Sequence, residues 1–322
     1  METADKPQIS ILMATYEPRL DWLKEQLVSL NAQTYPNLKL YVRDDASEVE
    51  AFDRIRELVE ECITAFPFEI SRNPSNVGSN ATFEQLTKDS DGVYFAYCDQ
   101  DDVWLQEKLS VLQDEIESKD ARLACSDMYV IDADGNTVSD SITKVHRTIR
   151  FASGPDLAKG LLFHNFVSGC AMLVRAEDAK AAVPFCPYYV HDQYLAICCA
   201  DKGSIVSVPR PLIRYRIHQS NQTAPLTGVS DKQSYQTMRI ELPLKRLEWL
   251  DLHLPMSAQL QETVSAGIEW AEARLKNWKH QGGAKTVWKY RAFSPVPSLF
   301  ELSLRWLPDS AFKRVIAIAR KI

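Results

Sequence analysis

The sequence predicts an α/β fold: a sheet flanked by helices, followed by a C-terminal helical extension. Three observations carry this. Short apolar runs alternate with amphipathic helical segments over the first 120 or so residues, the pattern of a mainly parallel sheet with helices on both faces. Polar clusters close those runs, at Thr15-Tyr16-Glu17, Asp44-Asp45 and Asp99-Gln100-Asp101-Asp102, where such sheets bind ligands. From about residue 230 the pattern turns helical, with no catalytic-looking cluster.

Each element follows from its own pattern. Residues 9–14 (ISILMA) are an apolar run between polar residues and read as a buried strand. Leu20, Leu23, Leu27 and Leu30 then recur at helical spacing. Residues 38–43 alternate as a second strand, ending in Asp44-Asp45-Ala46-Ser47. Phe52, Ile55, Leu58, Val59 and Ile63 mark a second helix, and 66–71 a third strand. Asn73-Pro74-Ser75-Asn76 is a turn, 79–88 a short helix, 93–98 a strongly apolar strand. Residues 104–118 read as a helix with Leu105, Leu109, Leu112 and Ile116 on one face. Beyond it, 122–131, 166–174, 205–208 and 212–217 read as strands, 132–136 as a turn and 194–200 as helix.

A length of 322 residues corresponds to roughly two domains. The polar, turn-rich stretch 219–230 places the division, giving a sheet domain over 1–225 and a helical extension over 226–322. Hydrophobic residues at 45% and charged residues at 25% exclude disorder, collagen and coiled coil as the main state. No run reaches the ~18 apolar residues of a membrane span, and the first residues lack a signal-peptide pattern, so a cytoplasmic location is expected. Seven cysteines without a C-x-x-C pair fit buried, reduced thiols. The net charge of −6 is uneven: residues 274–322 hold 11 Lys and Arg against two acids. An acidic body argues against nucleic acid as partner. The basic, aromatic tail suits either an anionic membrane surface or a helical cap with its bases in solvent.

Asp99-Gln100-Asp101-Asp102 is the strongest local signal, lying between an apolar strand and an apolar helix. Its repelling carboxylates suit hard Mg2+ or Mn2+, completed by substrate phosphates. Alone, the cluster also reads as an acidic helix N-terminus, but a cap leaves the other strand-end clusters unexplained.

At these residues the chain resembles a family 2 glycosyltransferase of the GT-A fold (the Rossmann-like, mixed-sheet nucleotide-diphospho-sugar transferase architecture), near its rhamnosyltransferase-like branch. The matching pieces are ISILMATYEPRLDWLKEQLVSLNAQTYPNLKLYVRDDAS, RNPSNVGSN, YCDQDDVW, SGCAMLVR, VHDQYLAICCADKG and PLIRYRIHQSN, in the family's order over about 9–223. The resemblance implies an inverting, metal-dependent glycosyltransferase of bacterial surface polysaccharide synthesis. Its donor would be dTDP- or UDP-linked, with dTDP-rhamnose favoured, and its acceptor a glycan or lipid-linked glycan. Thr15, Tyr16 and Glu17 would line the nucleotide pocket, Asp45 would accept from the base, and Gly78 would let the backbone approach. Asp99 would lie near ribose or phosphate, and Asp101 with Asp102 would hold the Mn2+ or Mg2+. Asp192 matches the family's catalytic base. Arg216 and His218 match a segment that closes over diphosphate and metal, His218 being equally readable as a phosphate or packing contact.

Bland readings stand beside these. Asp192 alone reads as a helix N-cap, His191 as structural or acceptor-facing, and His164 and Asn165 as facing the donor sugar or, in the favoured reading, as a core pair. Ser168 and Gly169 either shape a sugar pocket or belong to a plain strand. Ala46 stands where the family carries glycine, which requires a negative φ there. Thr82 replaces a common basic residue, leaving phosphate neutralisation to the metal and Arg216. Other classes remain as alternatives: an inactive nucleotide-sugar binding or scaffold protein, against which Asp101 and Asp192 count, and a nucleotidyltransferase, for which no Gly-rich phosphate loop is present. The processive synthases' Q-x-x-R-W is absent, and peripheral contact with the inner face of the cell membrane is open through the tail.

Overall fold

The computed structural model describes residues 6–218 and 228–319, in two compact units, Met1–His218 and Gln219–Ile322. The expected boundary at 225 lies outside the described residues.

The first unit runs β1 (Ile9–Thr15), α1 (Leu20–Asn31), β2 (Leu38–Asp44), α2 (Val49–Cys62), β3 (Phe68–Arg72), α3 (Ser79–Asp89) and β4 (Tyr94–Cys98). Then come β5 (Val103–Trp104), α4 (Lys108–Ser118), β6 (Leu123–Ile131), β7 (Thr137–Ser139) and the single turns α5 (Ile142–Val145) and α6 (Ala158–Leu161). It closes with β8 (Met172–Arg175), α7 (Ala176–Ala181), α8 (His191–Lys202) and β9 (Ile205–Arg216). Strand order is β3-β2-β1-β4-β8-β6-β9-β5, with β7 on β6. The chain moves outward from β1 to β3 and returns to place β4 on the other side of β1. That reversal opens a crevice beyond the carboxyl ends of β1 and β4.

Strand periodicity divides the core. Ile9, Ile11 and Met13 of β1, with Tyr94, Ala96 and Cys98 of β4, pack with Leu23, Leu27 and Leu30 of α1 and Leu109, Leu112 and Ile116 of α4. On β4 the alternate residue Tyr97 meets Phe83 of α3, edge to face at 5.5 Å.

The sheet is mixed, as the resemblance implied, and the mainly parallel reading of the strand-helix alternation holds for only part of it. The pairs β1–β2, β2–β3, β1–β4 and β6–β9 are parallel, but β4–β8, β6–β8, β5–β9 and β6–β7 are antiparallel. The helix expected from 104 begins only at Lys108, because Val103 and Trp104 are drawn into pairing with Arg214 and Ile213. The strand expected over 166–174 shrinks to β8, its first part being a 3-10 turn at Gly169–Ala171. The two strands expected at 205–217 are one, with a register shift between Val208 and Pro211. All seven cysteines are buried, and all belong to this unit.

The second unit is helical: α9 (Lys232–Tyr235), a π turn, α10 (Leu242–His253), α11 (Ala258–Trp278), α12 (Ala284–Lys289), α13 (Pro295–Leu304) and α14 (Asp309–Ala319). Its own core joins Val229, Tyr235, Ile240, Trp278, Phe312 and Ile316. The buried Arg274 and Glu301 form an ion pair inside it. Gly283 has φ +89°, and a Cβ there would stand 2.3 Å from the Ala273 carbonyl oxygen, so only glycine lets α12 lie so close to α11. Among the described residues, no helix is long and apolar enough to cross a membrane.

Candidate active site

Three loops beyond the sheet's carboxyl edge build the site. The first joins the ends of β1 and β2. The Asp45 N–H donates to the Thr15 carbonyl at 2.8 Å. The buried Asp44 carboxylate accepts from the Ser47 N–H (2.8 Å) and hydroxyl (2.6 Å) and from the Thr15 hydroxyl (3.2 Å). Asp45, also buried, accepts from the Asn73 amide (2.8 Å) and from the N–H groups of Val77 (2.9 Å) and Gly78 (2.8 Å). Thr15 and Asp45 thus shape the loops around the pocket. Glu17 does likewise: its carboxylate accepts from the Glu48 N–H at 2.6 Å. Tyr16 is exposed at this end, and nothing lies within 4 Å of where a Gly78 Cβ would project, so these two border open space. Thr82 is buried and hydrogen-bonded to Asn73. The requirement of a negative φ at Ala46 is overturned: φ is +64°. The packed turn between Asp44 and Ser47 holds it left-handed, at a cost of about 1 kcal/mol.

The second loop is the acidic cluster. Gln100 stitches it to β1 by accepting from the Tyr16 N–H (2.8 Å) and donating to the Tyr16 carbonyl (3.1 Å). Asp101 Oδ2 lies 2.8 Å from His218 Nε2, both side chains partly exposed. Asp102 is placed apart from this pair. It is fully buried, and one oxygen accepts from the Arg216 N–H at 2.9 Å. Burial and the adjacent Asp101 and Asp99 charges hold its carboxyl well above the ordinary range. Asp99 is lifted to about 7 by burial, Asp101 and Asp192.

The expected role of Arg216 at the diphosphate is not what its surroundings display. The side chain is 1% exposed. Its guanidinium donates to the carbonyls of Asp101, Asp132 and Ala133 and to Glu25. The β6–β7 turn, folded on Asp132, points two carbonyls inward, and the planar fork of arginine satisfies them. Arg216 is a strut between that turn and the acidic loop.

The third loop precedes α8. Asp192 is half-buried in the helix's first turn; the N-cap is Val190. Its carboxylate accepts from the Gly169 N–H (3.1 Å), the Asn165 amide (3.3 Å) and its neighbour Gln193 N–H. Burial lifts it to about 6 against those three donors, which lower it. His191 lies between Phe83 (4.2 Å between ring centres) and Tyr97 (5.1 Å), buried and held down to about 3, so it is structural and neutral. A Cβ on Gly169 would stand 2.6 Å from His191 Nε2, so the close approach there is to histidine. The core reading of His164 and Asn165 fails: His164 is exposed and Asn165 holds Asp192.

Sequence reasoning missed Lys108. It is fully buried, donates to the Cys170 carbonyl at 2.6 Å, and lies 3.0 Å over the Trp104 ring. Burial lowers it to about 7, while the Cys170, Cys98, Asp102 and Asp99 groups favour its charge. It is the counter-charge behind the acidic cluster. Its signal was a lysine in the apolar register of α4, one position from Leu109.

Asp101 with His218 is a set that could hold a divalent cation, a carboxylate and an imidazole at 2.8 Å, both partly exposed. Asp99, Asp102 and Cys170 also bring ligand-type atoms within 4.8 Å of one another. Burial pushes the Cys170 thiol up.

The family model described as glycosyl transferase family 2 matches residues 10–179. The dTDP-rhamnosyl transferase RfbG of Shigella flexneri is 26% identical over 258 residues, 74% of this chain and 80% of that protein. An uncharacterized glycosyltransferase of Nostoc sp. is 24% identical over 248 residues, 73% of each. Among solved structures, mannosyltransferase PcManGT from Pyrobaculum calidifontis in complex with GDP-Man and Mn2+ has a TM-score of 0.58 at 12% identity, covering 99% of this chain and 87% of that one. S. aureus TarS in complex with UDP-GlcNAc has a TM-score of 0.56 at 14% identity, covering 92% and 91%. The fold is that of the GT-A transferases.

Proposed function

The chain belongs to glycosyl transferase family 2 and is a glycosyltransferase, and from that premise we propose that it transfers a sugar, with inversion, from a dTDP- or UDP-linked donor to a glycan or lipid-linked glycan. Rhamnose is the favoured sugar, since a relative over most of the chain is named a dTDP-rhamnosyl transferase. The reaction belongs to bacterial surface polysaccharide assembly, in the cytoplasm or at the membrane's inner face.

What carries the reading is one juxtaposition. Asp192, a carboxylate with a raised pKa, lies close enough to the acidic loop for its charge to lift Asp99. In this reading the proposed base and the proposed diphosphate-binding edge would share one crevice. The donor's nucleotide would lie between Tyr16, Gly78 and the loop that Asp45 holds, with Asp99 near its ribose. Asp192 takes the proton of the acceptor hydroxyl. The hydroxyl oxygen bonds to the anomeric carbon as the bond to the diphosphate breaks, and a single displacement inverts that carbon. Asp101 and His218 would hold Mn2+ or Mg2+, which supplies charge neutralisation to the leaving diphosphate. Asp102 and Lys108 support that edge from behind, and Arg216 fixes its backbone.

The test is release of nucleoside diphosphate from a panel of nucleotide sugars, with Mn2+ or Mg2+, for the wild type, Asp101→Ala and Asp192→Asn. Hydrolysis of one donor, lost with EDTA and in Asp101→Ala, names the donor and supports the assignment. Metal-dependent binding without turnover points to a missing acceptor or an inactive protein. Failure to bind any nucleotide removes the proposal.

A further inference from the structure

In the second unit, α12, α13 and the turn after α13 expose large apolar side chains beside bases. Trp288 is 53% exposed, Val296 79%, Leu299 46% and Trp306 65%. Val296, Leu299, Ser303 and Trp306 recur at helical spacing, an outward stripe along α13 and the turn beyond it. The inward side carries Ser298 and Glu301, both fully buried.

The charge on this ridge has one sign. Between residues 279 and 308 the sequence holds five bases, Lys279, Lys285, Lys289, Arg291 and Arg305, and one acid, Glu301. That acid is engaged inside the unit, accepting from Arg274 and from the Tyr235 hydroxyl. Glu269 of α11 lies 4.0 Å from Lys289 and accepts from the Tyr290 hydroxyl. The Arg291 guanidinium lies over the Trp288 ring at 4.3 Å, so base and indole are presented together.

We propose that this ridge docks on an anionic lipid bilayer. Trp288, Val296 and Leu299 enter the boundary between headgroups and acyl chains, while Lys285, Lys289 and Arg291 face lipid phosphates. Nucleic acid would match the bases but offers nothing to the aliphatic tips of Val296 and Leu299. A headgroup layer matches both, being anionic at its surface and apolar just beneath. The inference deepens the functional reading, on which it rests only for its purpose: holding the enzyme where a lipid-linked acceptor is presented.

The experiment is co-sedimentation of the full chain with vesicles of phosphatidylglycerol and phosphatidylcholine, and of phosphatidylcholine alone, with Arg291→Glu and Leu299→Glu beside the wild type. Both substitutions are at exposed positions, and melting curves check that each variant is folded. The expected result is pelleting with the anionic vesicles only. Each variant should weaken that partition by roughly tenfold, as should high salt. No pelleting of the wild type, or equal pelleting with neutral vesicles, overturns the proposal. So does wild-type pelleting of Leu299→Glu, which would leave surface adhesion by charge alone, as for a nucleic-acid-binding face. Donor hydrolysis is measured separately without vesicles. Its absence alongside intact lipid binding would count against the transferase reading and leave the docking in place.

Discussion

Asp192 couples chemistry to stability. In the proposed role of base it works ionised, so kcat/KM should rise with pH through about 6, that limb vanishing with the residue. Asp192→Asn should lower kcat by about 10²–10⁴-fold. The folded-state value lies above the ordinary 3.8, so the folded chain binds this proton more tightly than the unfolded one. The carboxylate therefore costs stability as pH rises from about 4 through 6. Asp192→Asn should accordingly be more stable than the wild type at pH 8, by about 1–2 kcal/mol after allowing for partial exposure. The gap should close below pH 4, and denaturant melts at the two pH values measure it. His191, buried and neutral, adds no opposing limb in this range. At Ala46, the left-handed φ of +64° predicts the reverse of the usual glycine penalty. Ala46→Gly should stabilise by about 0.5–1 kcal/mol, read as a higher denaturant midpoint at unchanged slope.

The loops act as braced elements. The 3-10 turn at Gly169–Ala171 presses on α8: a methyl at Gly169 would meet His191, which Phe83 and Tyr97 confine. Gly169→Ala should cost about 1–3 kcal/mol and lower kcat more than it raises the donor KM, because it shifts Asp192. Arg216→Met should destabilise by about 3 kcal/mol, since carbonyls of the β6–β7 turn lose their donors. The strands and helices up to β4 were legible because each spans enough residues for its period to show. β5 was not: two residues have no period, and their pairing with β9 is decided by a contact more than 100 positions away. In the site, residue type and motif pointed to Asp101, Asp192 and His218, and the fold brings Asp101 within 2.8 Å of His218. The engagement of Arg216 was not, because an arginine's sequence position says nothing of which carbonyls a distant turn will aim at it. Lys108 escaped because a buried charge looks like a flaw in an apolar stripe until its counter-charges are in place.

At the scale of the whole molecule, cation binding should appear as a change in global stability. Mn2+ at about 100 times its Kd should raise unfolding free energy by about 2.7 kcal/mol, provided it binds only the folded chain. His218→Ala should shrink that gain at the same concentration, and the melting temperature with and without EDTA reads both. The two units also differ in what they can report. Every thiol is buried in the first unit, and the second contains no cysteine. Five of the seven tryptophans, Trp249, Trp270, Trp278, Trp288 and Trp306, belong to the second. A thiol-trapping reagent therefore clocks the opening of the first unit alone, while indole fluorescence is weighted toward the helical one. Run on the same sample, the two signals would time each unit's unfolding without a label or a mutation. Coincident curves would mean a single cooperative transition, and separated curves two.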